Sequence, residues 1–351
     1  MNKNVLPLTK NTLKLSPSGL KSRKYAVSIK YFDGDNNTPS KRIDYEIEIA
    51  ITPNQGNYLL DIFKNNIWFD QHEPDLINEI IANELSKSLY PVQVKIDEDD
   101  MSLNGVANYK QILSRWYGNK HKLTEKYNTP ATRSFYQAFE KNLESRAILE
   151  RSMQYDWFWN LLFHPKYINY GNEHIVETDL YLAVVPYEYP VQFKGKQKIN
   201  TGITNYNSVE IHFESDEINA SSYFIPKNRK SNLSENPVLM RLNVYHDLDV
   251  YHLFPMHIRA YFEVFTKDSQ GDETLLKKIQ FTQYQQGTET NKTSPKEKRS
   301  PFEVYEDDHK EVYKTYEGKN YTFQEWKKFE DEQYEIYKKK RNKKGFWDFL
   351  G

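Results

Sequence analysis

The chain has 351 residues, 48 of them basic and 49 acidic, a net charge of -1 and no cysteine. That balance excludes a nucleic-acid surface spread over the whole chain, which would need clustered Lys and Arg. The missing thiols exclude disulfides, thiol catalysis and cysteine-based zinc sites. A mean hydropathy of -0.85, with 27 Tyr and 19 Phe, describes a folded, aromatic-rich body with long polar excursions, too long for one average domain. Abundant Lys, Asn and Tyr beside scarce Gly also match an AT-rich genome, so composition says little about function.

Residues 1–22 read as an irregular arm without an apolar run of signal-peptide length. No segment reaches the roughly 20 apolar residues of a membrane span, and the expected location is the cytoplasm. "KYAVSIKYF" alternates, with Tyr25, Val27, Ile29 and Tyr31 on one face, and "RIDYEIEIAI" repeats the pattern after a polar turn. Period-two runs joined by such a turn predict an antiparallel pair, with "NYLLDIFKNNIWF" as a third strand. "EPDLINEIIANELSKSL" carries an apolar stripe at helical spacing, with Pro74 suited to a first turn. A strand, "YPVQVKI", then leads into the acidic turn "DEDD", and "GVANYKQILSRWYG" reads as an amphipathic helix. From Thr129, which is suited to cap, with Pro130 at the first position, a helical pattern runs to "HPKY" as one long helix or a broken pair.

From residue 177 the pattern returns to strands, in "TDLYLAVVPYEYPVQF", "NSVEIHFES", "NPVLMRLNVYHDLDVYHL", "HIRAYFEVF" and "TLLKKIQFTQY". The body, 23–284, is therefore predicted to be α+β, with strands at 23–69, helices at 73–163 and strands at 177–284. Its large antiparallel sheet, open and curved or partly closed, packs on the central helical segment. Residues 285–301 lack periodicity and read as a flexible linker. The remainder, 302–351, reads as a tethered C-terminal helix with a basic and aromatic tail; Thr322 to Glu325 has capping-box spacing.

The stretch "YHDLDVYHLFPMH" (245–257) gathers three histidines and two aspartates. On a continuous strand His246 and His252 would lie roughly 20 Å apart at about 3.3 Å per residue, too far for one ion. The metal reading narrows to His252 and His257 across a bend at Pro255. "DEDD" lacks the alternating oxygen ligands and central Gly of a calcium loop. No G-x-S-x-G, H-E-x-x-H, phosphate-cradling loop or kinase signature is present, and neither catalytic residues nor a cofactor is assigned. The cluster "YDWFWNLLFHPKY" has two readings: a core helix buried by the sheet, or the wall of an apolar ligand cavity formed by Trp157, Phe158, Trp159 and Phe163.

The C-terminal segment carries the strongest functional hint. Lys338, Lys339, Lys340 and Arg341 open a basic run followed by Phe346, Trp347, Phe349 and Leu350, and Trp326 and Phe329 line one side of the preceding helix. A greasy cluster beside a basic run is costly to leave exposed and points to docking on a protein partner, with a membrane surface or nucleic acid as lesser alternatives. The expected function is that of a non-enzymatic interaction or scaffold protein, such as a component of a bacterial secretion or injection machine. The alternatives are a carrier for an apolar ligand held between sheet and aromatic helix, and a hydrolase without a recognisable motif.

Overall fold

The computed structural model describes residues 11–17, 19–20, 22–54, 57–185, 188–204, 206–220, 223, 236–286, 314–316, 319–321, 328–329 and 332. The chain divides into two compact units, Met1–Pro295 and Lys296–Gly351.

The first unit is mostly sheet. Three strands, β1 (Arg23–Asp33), β2 (Lys41–Asn54) and β3 (Asn57–Phe69), precede helix α1 (Ile77–Leu89) and the short strands β4 (Val92–Ile96) and β5 (Leu103–Val106). Four helices follow, α2 (Tyr109–Lys126), α3 (Pro130–Asn142), α4 (Arg146–Met153) and α5 (Trp157–Leu162). The chain then returns to strands: β6 (Ile175–Leu182), β7 (Val191–Ile199), β8 (Ser208–Ser215), β9 (Ile218–Asn219), β10 (Val238–Asp249), β11 (Pro255–Lys267) and β12 (Glu273–Gln285). They form one 12-stranded sheet in the order β5-β4-β3-β2-β1-β12-β11-β10-β8-β7-β6, with β9 beside β10. Pairing is antiparallel, and β1 against β12 joins the strands on either side of the helices, from Tyr25 opposite Gln285 to Asp33 opposite Lys277.

The register assigns the faces, because side chains alternate along each strand. His246, Ile258, Gln283, Val27 and Tyr45 form one row across five strands, and all five are buried. Tyr245, Arg259, Thr282 and Ser28 form the adjacent row on the opposite face. The alternation read in "KYAVSIKYF" is thus the core face of β1. The N-terminal arm is irregular where described, yet Leu13, Leu15 and Leu20 are buried, and Leu13 and Leu15 donate their N–H groups to Ile168 O and Asp99 O. The acidic turn holds itself together: Asp97 and Asp100 accept the N–H of Asp99 and Ser102, and Lys14 pairs with Asp99 at 2.6 Å.

Several predicted boundaries shift for local reasons. The helical run after Thr129 is three helices, not one or two, because Ser145 and Asp156 each cap a new start by accepting the N–H of Ile148 and Phe158. Helix α1 begins three residues beyond Pro74, where the Glu79 carboxylate reaches back to the Leu76 N–H at 3.3 Å. Gly105 and Val106, expected in a helix, belong to β5, and "TDLYLAVVPYEYPVQF" is two strands rather than one. Among the described residues no helix is long and apolar enough to cross a membrane.

In the second unit, β13 (Lys314–Tyr316) and β14 (Lys319–Tyr321) make an antiparallel pair that the sequence did not suggest. Lys328, Phe329 and Glu332 are helical. Most of the predicted linker, from 287 to 301, lies outside the described residues.

Candidate ligand cleft

Helix α5 is the core helix. Asp156 caps it at 2.8 Å, and Trp157, Phe158, Trp159, Leu161 and Leu162 are all buried, as expected of a helix that is apolar all round. Its two indoles are anchored: Trp157 Nε1 donates to Ala183 O at 2.8 Å, and Trp159 Nε1 to the Tyr90 hydroxyl at 3.1 Å. Of the four predicted cavity residues, Trp157 and Phe158 pack into the core, Trp157 with its ring 6.3 Å from that of Phe281 and Phe158 edge-on to Trp159. Trp159 and Phe163 stack at 5.6 Å with 13° between their planes and face a cleft of about 1100 Å³.

The two edge strands of the sheet border this one cleft. Leu103, Asn104 and Gly105 come from β5, and Asp179, Leu180 and Tyr181 from β6. The sheet therefore curls until its free edges face a common space, with α4 and α5 between them. The volume lies at or above the usual small-molecule range of about 300–1,000 Å³. Arg146, Glu150, Arg151 and Asp179 give the rim a mixed charge, while Tyr181 and Tyr189 are 52% and 79% exposed.

The β5 edge is closed by α4. Glu150 Oε1 accepts the Val106 N–H at 2.7 Å and the Arg146 Nε–H at 2.7 Å. Burial would raise the Glu150 carboxyl, but the Arg146 and Val106 hydrogen bonds outweigh it and hold the group below the usual range. Gly105 has φ +100, a conformation strained for any other residue, and a Cβ there would displace the ends of the Arg146 and Glu150 side chains, so glycine keeps that pair seated against β5.

Beneath the cleft lies a buried polar cluster that reaches its floor through His164. His164 Nε2 meets Gln197 Oε1 at 2.6 Å, while Gln197 Nε2 donates to Pro165 O and to the Tyr170 hydroxyl. The amide oxygen can only accept, which places the proton on His164 Nε2. Lys166 is 1% exposed, and its amine donates to Leu162 O at 2.6 Å and His164 O at 2.9 Å, satisfying carbonyls left open at the C-terminal end of α5. Burial pushes the Lys166 amine down to about 7. Burial, then the Lys166 charge, takes His164 down to about 3 against the opposing Gln197 bond. His246 stacks on His164 with ring centres 5.9 Å apart, donates to Leu161 O, and is also lowered, by burial and then by Lys166 and His164. The cluster is a buried, hydrogen-bonded support for α5, with both imidazoles held neutral and the Lys166 amine weakened as a base by burial.

The histidine stretch is a turn organiser. The Asp249 carboxylate accepts the N–H groups of Tyr251, His252 and Phe254 at 2.9, 2.7 and 3.1 Å and pairs with Arg23 at 2.8 Å. His252 turns its Nδ1 to Ser16 O at 3.1 Å. His257 lies 3.6 Å from Asp247, which Arg259 also contacts at 3.3 Å. The two histidines thus serve different partners. Among the described residues no group of three or more potential ligands is placed to hold a metal ion.

Of the predicted docking residues, Phe329 is described and half-buried. Trp326, Lys338, Lys339, Lys340, Arg341, Phe346, Trp347, Phe349 and Leu350 lie outside the described residues. Reading the sequence missed His164, Lys166 and Gln197. The available signal is "HPK" directly after an aromatic helix, two polar side chains where a helix stop needs only the proline. No family model matches the chain, and no curated protein matches it. Among solved structures it was aligned with the dehydratase domain from the CurJ module of the curacin polyketide synthase, at 10% identity over 75% of this chain and 76% of that one. An inactive mutant of the CurJ dehydratase with a bound compound aligns at 9% identity over 74% and 76%. The TM-score is 0.10 in both cases, and these likenesses carry no argument.

Proposed function

We propose that this is a non-enzymatic interaction protein of a bacterial cytoplasm that holds an extended segment of a protein partner in the cleft between its sheet edges. The observation that carries this reading is that both ends of one 12-stranded sheet border the same cleft of about 1100 Å³, beside the aromatic wall of α5. Edge strands offer unpaired backbone groups, and a cleft of mixed polarity bordered by them suits an extended chain segment. The basic run of Lys338, Lys339, Lys340 and Arg341, with the apolar residues that follow it in the sequence, would supply a second docking element, as expected of a component of a larger assembly. The stacked Trp159 and Phe163 pair favours a second reading, a carrier for an apolar ligand. The charged rim of Arg146, Glu150, Arg151 and Asp179 weighs against it.

The test compares quantitative affinity purification from the native host with three full-length baits: wild type, a cleft-rim variant (Arg151→Glu with Tyr181→Ala) and a tail variant (Lys338, Lys339, Lys340 and Arg341 all to Gln). A partner lost with the rim variant and kept by the tail variant supports cleft docking. Identical partner sets for wild type and rim variant overturn it.

A further inference from the structure

We infer that the outer edge of β6 accepts one further strand: an extended partner segment in which Lys or Arg alternates with apolar side chains. This rests on the cleft being a docking place, and three observations carry it further.

The two edges of the sheet are not equivalent. At β5 the Val106 N–H is already taken by Glu150, and Arg146 covers Gly105. At β6 no backbone hydrogen bond beyond its pairing with β7 is made among the described residues. An unguarded edge strand is a template for strand addition, and proteins that do not use such an edge normally cover or twist it away. Among the described residues one edge is covered by α4 and the other is left open, on the same cleft.

The charge pattern specifies the occupant. On the outer face Glu177 lies opposite Lys196 and Asp179 opposite Lys194, and Lys196 in turn lies opposite Glu214 of β8. Signs therefore alternate from strand to strand, and β6 ends the ladder on exposed acids. A next strand that continues it presents Lys or Arg beside Glu177 and Asp179, since opposite charges across strands stabilise and like charges do the reverse. On the inner face the strand would meet Leu180, which is buried, and across the cleft Trp159 and Phe163, so the intervening positions are apolar. A second copy of β6 fits poorly, because central antiparallel self-pairing sets Glu177 opposite Asp179 of the copy.

The probe is a blocked peptide of alternating Lys and Val, matched to the 8 residues of β6; its control has the same composition in Lys-Lys-Val-Val order. Full-length protein is expected to bind the alternating peptide, with slowed amide exchange confined to 175–182. The Glu177→Lys, Asp179→Lys variant, altered only at exposed positions, is expected to bind it about tenfold or more weakly and to prefer an alternating Glu and Val peptide. Equal binding of both Lys peptides, or unchanged binding by the charge-reversed variant, overturns the assignment. If the peptide fails while the rim variant still loses its partner, the edge assignment falls and the cleft reading stands. If the rim variant loses no partner, the reading beneath it falls as well.

Discussion

Replacing Lys166 by Met should flatten the rise of stability with pH that the wild-type chain shows on the alkaline side of neutrality. The amine is 1% exposed and faces two carbonyls, the imidazoles of His164 and His246, and no carboxylate partner among its hydrogen bonds. Burial lowers its pKa from 10.5 to about 7. Between those values the unfolded chain binds a proton that the folded chain does not, so stability increases as pH rises. With a folded value of about 7 and an unfolded value of 10.5, the gain from about pH 7.5 to about pH 9.5 is at most about 2.5 kcal/mol. The window ends there because the buried hydroxyls of Tyr25 and Tyr90 are pushed up by burial. Ionisation of these residues in the unfolded chain would lower stability above about pH 10.

The assay is urea unfolding of wild type and Lys166→Met at several pH values. Met keeps the volume and removes the titration, while leaving Leu162 O and His164 O without a donor. The absolute change at pH 7 is thus a contest between lost desolvation and orphaned carbonyls. The slope is not. A wild-type slope that survives undiminished in the Met variant would refute the assignment of a buried amine with a lowered pKa to this position. On the acid side the sign is the same: His164 and His246 are held neutral in the fold, so stability should fall as pH drops below about 6.5.

Asp249→Ala removes four hydrogen bonds at once and leaves Arg23 with Gln285 but without its carboxylate partner; it is expected to cost about 3–5 kcal/mol, and a loss under about 1 kcal/mol in urea titration would contradict the turn-organising role. Gly105→Ala combines φ +100 with a collision against Arg146 and Glu150, so a loss of about 1–3 kcal/mol is expected, and an unchanged unfolding midpoint would show that α4 does not seal β5. Gln283 is fully buried and neither of its amide atoms has a hydrogen-bond partner within the described protein. Gln283→Leu is therefore expected to raise stability by about 1–3 kcal/mol, and marked destabilisation would contradict that picture of the core.

The strands were legible in the sequence wherever one face met the core and the other met water. Tyr25 and Val27 carry the period of two directly, whereas β7 runs past Phe193 to Ile199 with Gly195 and Gln197 at buried positions, so its second half shows no apolar alternation. The length of the helical run was misread because Ser145 and Asp156 are ordinary polar residues until their side chains are seen accepting N–H groups. The edge strand β5 is four residues long, too short for periodicity to register. The aromatic helix was recognised, and its core reading was right for Trp157 and Phe158. Which side of it borders a cleft depends on the curl of the whole sheet, a property no local window contains. Likewise the acids of "YHDLDVYHLFPMH" carried the signature of chemistry, and only the turn geometry assigned Asp249 to backbone amides.

The claim that the cleft is the docking place is tested most directly by photo-cross-linking in the native host, with a benzophenone side chain replacing Tyr181 on the cleft or Tyr117 on α2, both exposed. One partner protein is expected to be joined through Tyr181, with every cross-link mapping to a single extended segment, and none through Tyr117. Cross-linking that is absent at Tyr181, or equal at the two positions, would contradict it.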